Sequence, residues 1–273
     1  MILFAYIWGI FKEALAKKII LAVLILFSLI IFLILYFINL DSVEGVKTLL
    51  SMSGQEKFAD ALLDFELYII SGVPRFMLLT LFIILVSSFI PSMLREGNLD
   101  LLLSKPISRT KIIIGHFIAG ILFVFVTLLI IIGIIWFIIS SKTGIWHTQF
   151  LFSIFWLTLV FAIIYSTVIL FATLTKSTIF TILINIFLYF PVTWGLYMLN
   201  IVLKNKSHVF GAAVEFFVKF FYYVFPKPWD VQDIGEALIK GLQVDSYMPL
   251  ITSVLFIIII LSLTILYFRK KDY

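Results

Sequence analysis

Six stretches of the chain run almost free of charge for about the length a helix needs to cross a bilayer. They are 19–40, 76–94, 112–140, 150–174, 179–203 and 249–268. The hydrocarbon core of a membrane is about 30 Å thick, which takes about 20 residues of helix. The runs are continuous instead of alternating, so they read as helices and not as strands of a barrel. Run 76–94 is the weakest, because Pro91 interrupts it and only 76–90 is cleanly apolar.

The segments between the runs carry shorter patterns. In 6–18, "YIWGIFKEALAKK", Ile7, Phe11, Ala14 and Leu15 share one helical face, and Gly9, Lys12, Glu13, Ala16 and Lys17 the other. That spacing predicts an amphipathic helix lying in the membrane interface, with Lys12, Glu13 and Lys17 facing headgroups or a cytoplasmic partner. A short helix is predicted over 57–70. Another is predicted over 211–223, "GAAVEFFVKFFYY", with Val214, Phe217, Val218 and Phe221 on one face and a Glu215/Lys219 pair opposite. "FPKPWD" then stops it, since Pro226 and Pro228 deny helix geometry and backbone donors. The fold class expected is an all-α polytopic membrane protein of six spans, a single membrane domain over 1–273. Within it, 1–18 is interfacial, 91–111 is a loop, and 204–248 is a long loop with short helices.

Composition agrees. Hydrophobic residues make up 63% and charged residues 13%, with a mean hydropathy of +1.20. A soluble domain carries roughly 25% charged residues, so this chain cannot clothe a water-facing surface. Cysteine is absent, which excludes disulfides, thiolate metal sites and thiol catalysis. Run 19–40 is too long for a cleavable leader and is expected to stay as an anchor. The net charge of +5 does not read as a nucleic-acid surface, because the basic residues gather at the ends of apolar runs. Eleven of the 20 Lys and Arg residues fall in 1–18, 95–111, 175–178 and 269–273. Short, dense basic loops mark the cytoplasmic face, so both termini and the 95–111 loop are expected inside.

That loop stands apart. "REGNLDLLLSKPISR", 95–109, sets Arg95, Glu96, Asp100, Lys105 and Arg109 among Leu99, Leu101, Leu102 and Leu103. Charges at this density cannot sit in hydrocarbon, where each costs roughly 2.5–3.5 kcal/mol near the centre. Clustered leucines suggest a short helix with one buried side. Pro106 ends it, and Ser108 is placed to cap the following span. Read from the residues alone, the loop is either a solvated turn that sets topology or a docking lever fixed at both ends by spans.

"LREGNLDLLLSKPISRTKIIIGH" resembles the loop after the second span in permeases of the ABC type-2 transporter family, whose pattern runs E-x-G-T-L-[ED]-L-L-L-S-x-P-[IV]-S-R with G-K following. Glu96, Gly97, Leu99, Asp100, Leu101, Leu102, Leu103, Ser104, Pro106, Ile107, Ser108, Arg109 and Gly115 match, while Asn98 and His116 depart from its Thr and Lys. The resemblance implies a transmembrane subunit of an ATP-driven exporter in a prokaryotic inner membrane. Such a subunit pairs with a second permease copy or paralogue. Its loop would act as a coupling helix on a separate cytoplasmic ATPase: Leu99, Leu102 and Leu103 in apolar contact, Arg95, Glu96, Asp100, Lys105 and Arg109 in charged contact with the ATPase or with neighbouring cytoplasmic helices. No G-x-x-x-x-G-K-[ST] occurs, so no cofactor is expected in this chain, and ATP and Mg belong to the partner. The chain itself is not expected to be an enzyme. A non-transporting relative that passes ATPase-driven force to outer-face proteins is the alternative. A membrane-embedded lipid-modifying enzyme is disfavoured for want of clustered His, Asp or Glu.

Isolated residues add detail. His116, His147 and His208 have no metal-ligand spacing, and His116 reads as an interfacial residue. Asn185 reads as an interhelical hydrogen bond or a pathway residue, Pro191 as a kink, and Gly115 with Ala119 as a close-approach pair. Arg75 is expected to snorkel to the outer interface.

Overall fold

The computed structural model describes residues 8, 55–94, 108–205 and 211–271. Those residues form helices joined by turns, with no strand among them. Ten α-helices are described: α1 (Gln55–Ile70), α2 (Gly72–Val86), α3 (Phe89–Met93), α4 (Arg109–Thr143), α5 (Phe152–Thr175), α6 (Thr178–Phe187), α7 (Gly195–Asn205), α8 (Ala212–Val224), α9 (Pro228–Ile239) and α10 (Met248–Lys270). A 3₁₀ turn, Thr148–Leu151, leads into α5, and a π-helical segment, Leu188–Trp194, joins α6 to α7.

Five helical stretches are long and apolar enough to cross a membrane: Ala59–Met93, Arg109–Thr143, Thr148–Thr175, Thr178–Lys204 and Met248–Lys270. They correspond to five of the six predicted runs. Run 19–40 and the amphipathic segment 6–18, with Lys12, Glu13 and Lys17, lie outside the described residues. The predicted 76–94 run is divided. Pro91 has no N–H to give to the Ser87 carbonyl, and the helix breaks at Ser87–Ser88 before resuming as α3. Pro191 acts differently. Its ring displaces the carbonyl one turn earlier, and the ladder widens into the π segment around it.

α5 is the central helix. Of its most apolar window 67% is buried, against 39% for Arg109–Thr143 and 11% for Met248–Lys270. It packs on α2, α3, α4, α6, α9 and α10. The tightest approach is to α4, where a Cβ on Gly120 would meet the Tyr165 ring at 2.2 Å. Gly115 and Ala119 are buried nearby, but Gly120 is the residue that lets the ring in. Tyr165 donates from its hydroxyl to the His116 carbonyl at 3.2 Å. His116 is itself buried within α4, 4% exposed.

Turn chemistry sets the reversals. Gly144, at φ +75°, closes α4 with its N–H on the Ser140 carbonyl at 2.8 Å. Ser108 caps the start of α4, accepting from the Lys111 N–H at 3.4 Å. α4 begins where α10 ends, so the bundle has an Arg109 end and a Trp146 end.

The 204–248 segment holds the helix predicted over 211–223 and one more. Pro226 does end α8, yet Pro228 starts a further helix, α9, at the first-turn position where a missing N–H is harmless. α8 is held by Val218 and Tyr222, whereas Val214, Phe217 and Phe221 are exposed.

Candidate functional site

α9, "PWDVQDIGEALI", has two working sides. Pro228, Val231, Gln232, Gly235 and Ile239 are buried. Gly235 is there because nothing larger fits: a Cβ would lie 2.5 Å from Cγ of Trp156 on α5. Asp230, Asp233 and Glu236 recur every third residue, and each is tied to a different helix. Asp230 accepts from the Tyr222 hydroxyl on α8 at 2.6 Å. Asp233 accepts from the Tyr197 hydroxyl on α7. Glu236 pairs with Arg75 on α2 at 2.6 Å. Just past the helix, Lys240 pairs with Asp64 on α1 at 2.7 Å. Arg75 is thus engaged by a helix far along the chain, and its side chain is 13% exposed.

The tip between α8 and α9 is anchored as firmly. Lys227 is 3% exposed. Its N–H donates to Ser253 Oγ at 3.1 Å and its Nζ to Thr252 Oγ1 at 3.1 Å, both on α10. Nζ also lies 4.8 Å from the centre of the Tyr222 ring. Burial lowers its pKa to about 8, a shift that the Asp230 charge opposes. Burial also raises the carboxyls of Asp230 and Asp233, against the stabilising hydroxyl each accepts. Trp229 stacks on Tyr189 at 5.1 Å and donates to Thr193 Oγ1 at 3.1 Å, joining α9 to the π segment.

Beneath this tip lies a cavity of about 40 Å³, lined by Thr167, Asn185, Tyr189, Thr193 and Pro226 among others. Asn185 is 1% exposed. It accepts from Thr167 Oγ1 on α5 at 2.5 Å and donates to the Thr181 carbonyl at 2.8 Å, an interhelical bond in the bundle core. Pro191 belongs to the π segment above it. The volume exceeds the ~10–15 Å³ a water requires and is far below a drug-sized site. A second buried pair stands at the Trp146 end: Glu66, with a 0% exposed side chain, lies 3.2 Å from His147 Nδ1. Burial lowers the pKa of His147, with Asp60 acting in the opposite sense. Among the described residues no three His, Cys, Asp or Glu form a group able to hold a metal.

At the other end only Ser108 and Arg109 of the coupling set are described. Arg109 Nη1 donates to the carbonyls of Phe268, Arg269 and Lys271 at 3.3, 3.2 and 2.6 Å, so the first turn of α4 closes the last turn of α10. Arg95, Glu96, Gly97, Leu99, Asp100, Leu102, Leu103, Ser104, Lys105 and Pro106 lie outside the described residues. Sequence reasoning passed over α9, Lys227 and Glu66. The signal available was the three-residue spacing of acids behind a proline pair.

Comparison with curated proteins yields no significant match. The family described as ABC-2 family transporter protein matches residues 7–273. A match of that extent on helices this long and apolar leaves one conclusion: the chain belongs to the ABC-2 transporter family and is a membrane-spanning permease.

Proposed function

We propose that the chain is the membrane subunit of an ATP-driven exporter, with ATP and Mg bound by a separate cytoplasmic ATPase that grips segment 95–107. The family match over 7–273 carries this reading. The proposed grip precedes Ser108 directly, and Ser108 and Arg109 open a 35-residue helix packed on the central α5. Arg109 ties that first turn to α10, so force applied to the segment would reach α4 and α10 together. Basic residues Arg109, Lys111, Lys176, Arg269 and Lys270 gather at this end, and the acids of α9 at the other, which favours the Arg109 end as cytoplasmic. On that orientation α9 lies on the outer side and closes the bundle there. A second permease copy completes the pathway.

The test is co-purification with the cognate ATPase, followed by ATP-dependent transport in proteoliposomes. Glu96→Lys with Asp100→Lys is expected to weaken association or abolish permease-stimulated hydrolysis. If both survive unchanged, segment 95–107 is not the coupling element.

A further inference from the structure

We infer that the furrow between α4, α5 and α9 is a binding site for one acyl chain of a membrane phospholipid, in the leaflet on the Trp146 side. The furrow measures about 730 Å³, and Phe125, Phe152, Phe155, Trp156 and Leu238 are among the residues that line it. Gln149, at its upper rim, is its polar residue. The volume falls in the roughly 300–1,000 Å³ range of small-ligand pockets. The depth fits a lipid tail. α4 and α5 cross closest at Gly120 and Tyr165. At about 1.5 Å of rise per residue, Phe125 lies roughly 8 Å above that level and Gln149 roughly 24 Å above it. The furrow therefore extends for roughly 16 Å, close to half of a ~30 Å hydrocarbon core. Its rim coincides with an aromatic belt, where Trp136 packs edge-on to Trp146 at 5.1 Å and donates to the His147 carbonyl.

Phe152 and Phe155 are 63% and 57% exposed, so the furrow opens sideways, toward lipid. The wall chemistry argues against a docked helix from a second copy. Helices that pack in membranes meet through small residues, and here, among the described residues, Gly241 is the one small residue in a lining of aromatic rings and bulky aliphatic side chains. An acyl chain conforms to such rings. It would also support the side of α9 that neither the acid row nor Trp156 holds, which makes the lipid part of the bundle and distinct from the layer that merely surrounds it. The inference does not depend on what the permease transports.

The test uses the full chain in phosphatidylcholine vesicles containing a phosphatidylcholine with a diazirine midway along one acyl chain. After dilution into lipid-free detergent and irradiation, adducts are mapped by mass spectrometry. Adducts on the furrow peptides are expected about tenfold above those on Ile258 and Ile259 of the lipid-facing α10. Leu238→Trp, which fills the furrow from a partly exposed position, is expected to remove most furrow adducts and leave those on α10 unchanged. Gln149→Trp, at an exposed rim residue, gives the same reading if Leu238→Trp does not fold. Equal adduct yields on furrow and α10 would overturn the inference, as would a disulfide-linked dimer of Phe155→Cys with no furrow adducts.

Discussion

Arg109 Nη1 lies 2.6 Å from the carbonyl oxygen of Lys271, so a residue at the start of one long helix closes the end of another. The last carbonyls of α10 have no partners within their own helix, and a guanidinium both satisfies them and complements the negative end of the helix dipole. Arg109→Ala is expected to cost about 1–2 kcal/mol. That is a fall of roughly 3–8 °C in the thermal midpoint of the detergent-solubilised protein. Lys111→Ala, two residues on and exposed, should stay within about 0.5 kcal/mol of the parent. Equal midpoints for the two variants would remove the cap from the account.

Gly235 and Trp156 make the second contact open to direct test. The clash of a new Cβ is with ring atoms at 2.5 and 2.8 Å, and the ring belongs to the most buried span. Gly235→Ala is therefore expected to destabilise by about 1–3 kcal/mol despite the better helix propensity of alanine. Gly195→Ala is the matched control. It is helical, has nothing within 4 Å of its would-be Cβ among the described residues, and should stabilise by about 0.4–1 kcal/mol. Urea or thermal unfolding of both variants checks the sign of each effect.

The spans were legible because lipid-facing and core-facing residues alike are apolar, so 112–140, 150–174, 179–203 and 249–268 stand out by length alone. α9 was not legible for a physical reason. Its buried residues include Gln232 and Gly235 and are interleaved with Asp230, Asp233 and Glu236, so no clean apolar stripe marks a helix there. What ties those acids into the bundle lies elsewhere in the chain: Arg75, Tyr197 and Tyr222 on three other helices. Local pattern does not contain such partners. The proline pair misled in the same way, because Pro228 begins a helix as readily as Pro226 ends one. At Pro191 the departure from a regular helix takes a π-helical form that the sequence alone does not specify, because it depends on neighbouring helices re-satisfying the freed backbone.

The Arg75–Glu236 pair should respond asymmetrically. Arg75 is 13% exposed and Glu236 33%. Glu236→Ala leaves a guanidinium with little access to water, whose Nε also lacks a hydrogen bond in the structure. The expected loss is about 2–4 kcal/mol. Arg75→Met leaves a carboxylate that can turn toward solvent, and should cost about 1 kcal/mol. Joining Arg75→Met to Glu236→Ala should recover part of the larger loss, a coupling of about 1–2 kcal/mol by double-mutant cycle. Additive losses would show that the two side chains do not stabilise α9 together.

Lys227 gives the fold a pH dependence of unusual sign. Burial at the α8–α9 tip holds its pKa at about 8, against 10.5 for the free side chain. Between those values the unfolded chain binds a proton at this position that the folded chain has released. Stability must then rise as pH climbs from about 8 toward 10.5, and this group contributes no slope below pH 8, where both states are protonated. Tyr222 works against it at higher pH, because burial and its bond to Asp230 raise the phenol's pKa and favour the folded state only while the hydroxyl keeps its proton. The clean window is therefore about pH 8 to 9.5. Lys227→Met keeps the length of the side chain and removes the charge. It is expected to flatten the rise in thermal midpoint across that window and to be at least as stable as the parent at pH 7, where the parent buries an ammonium with no carboxylate in ion-pair contact among the described residues. A parent whose midpoint does not rise with pH there, or a Lys227→Met variant that rises with the same slope, would mean that the tip lysine is solvated in the folded membrane protein.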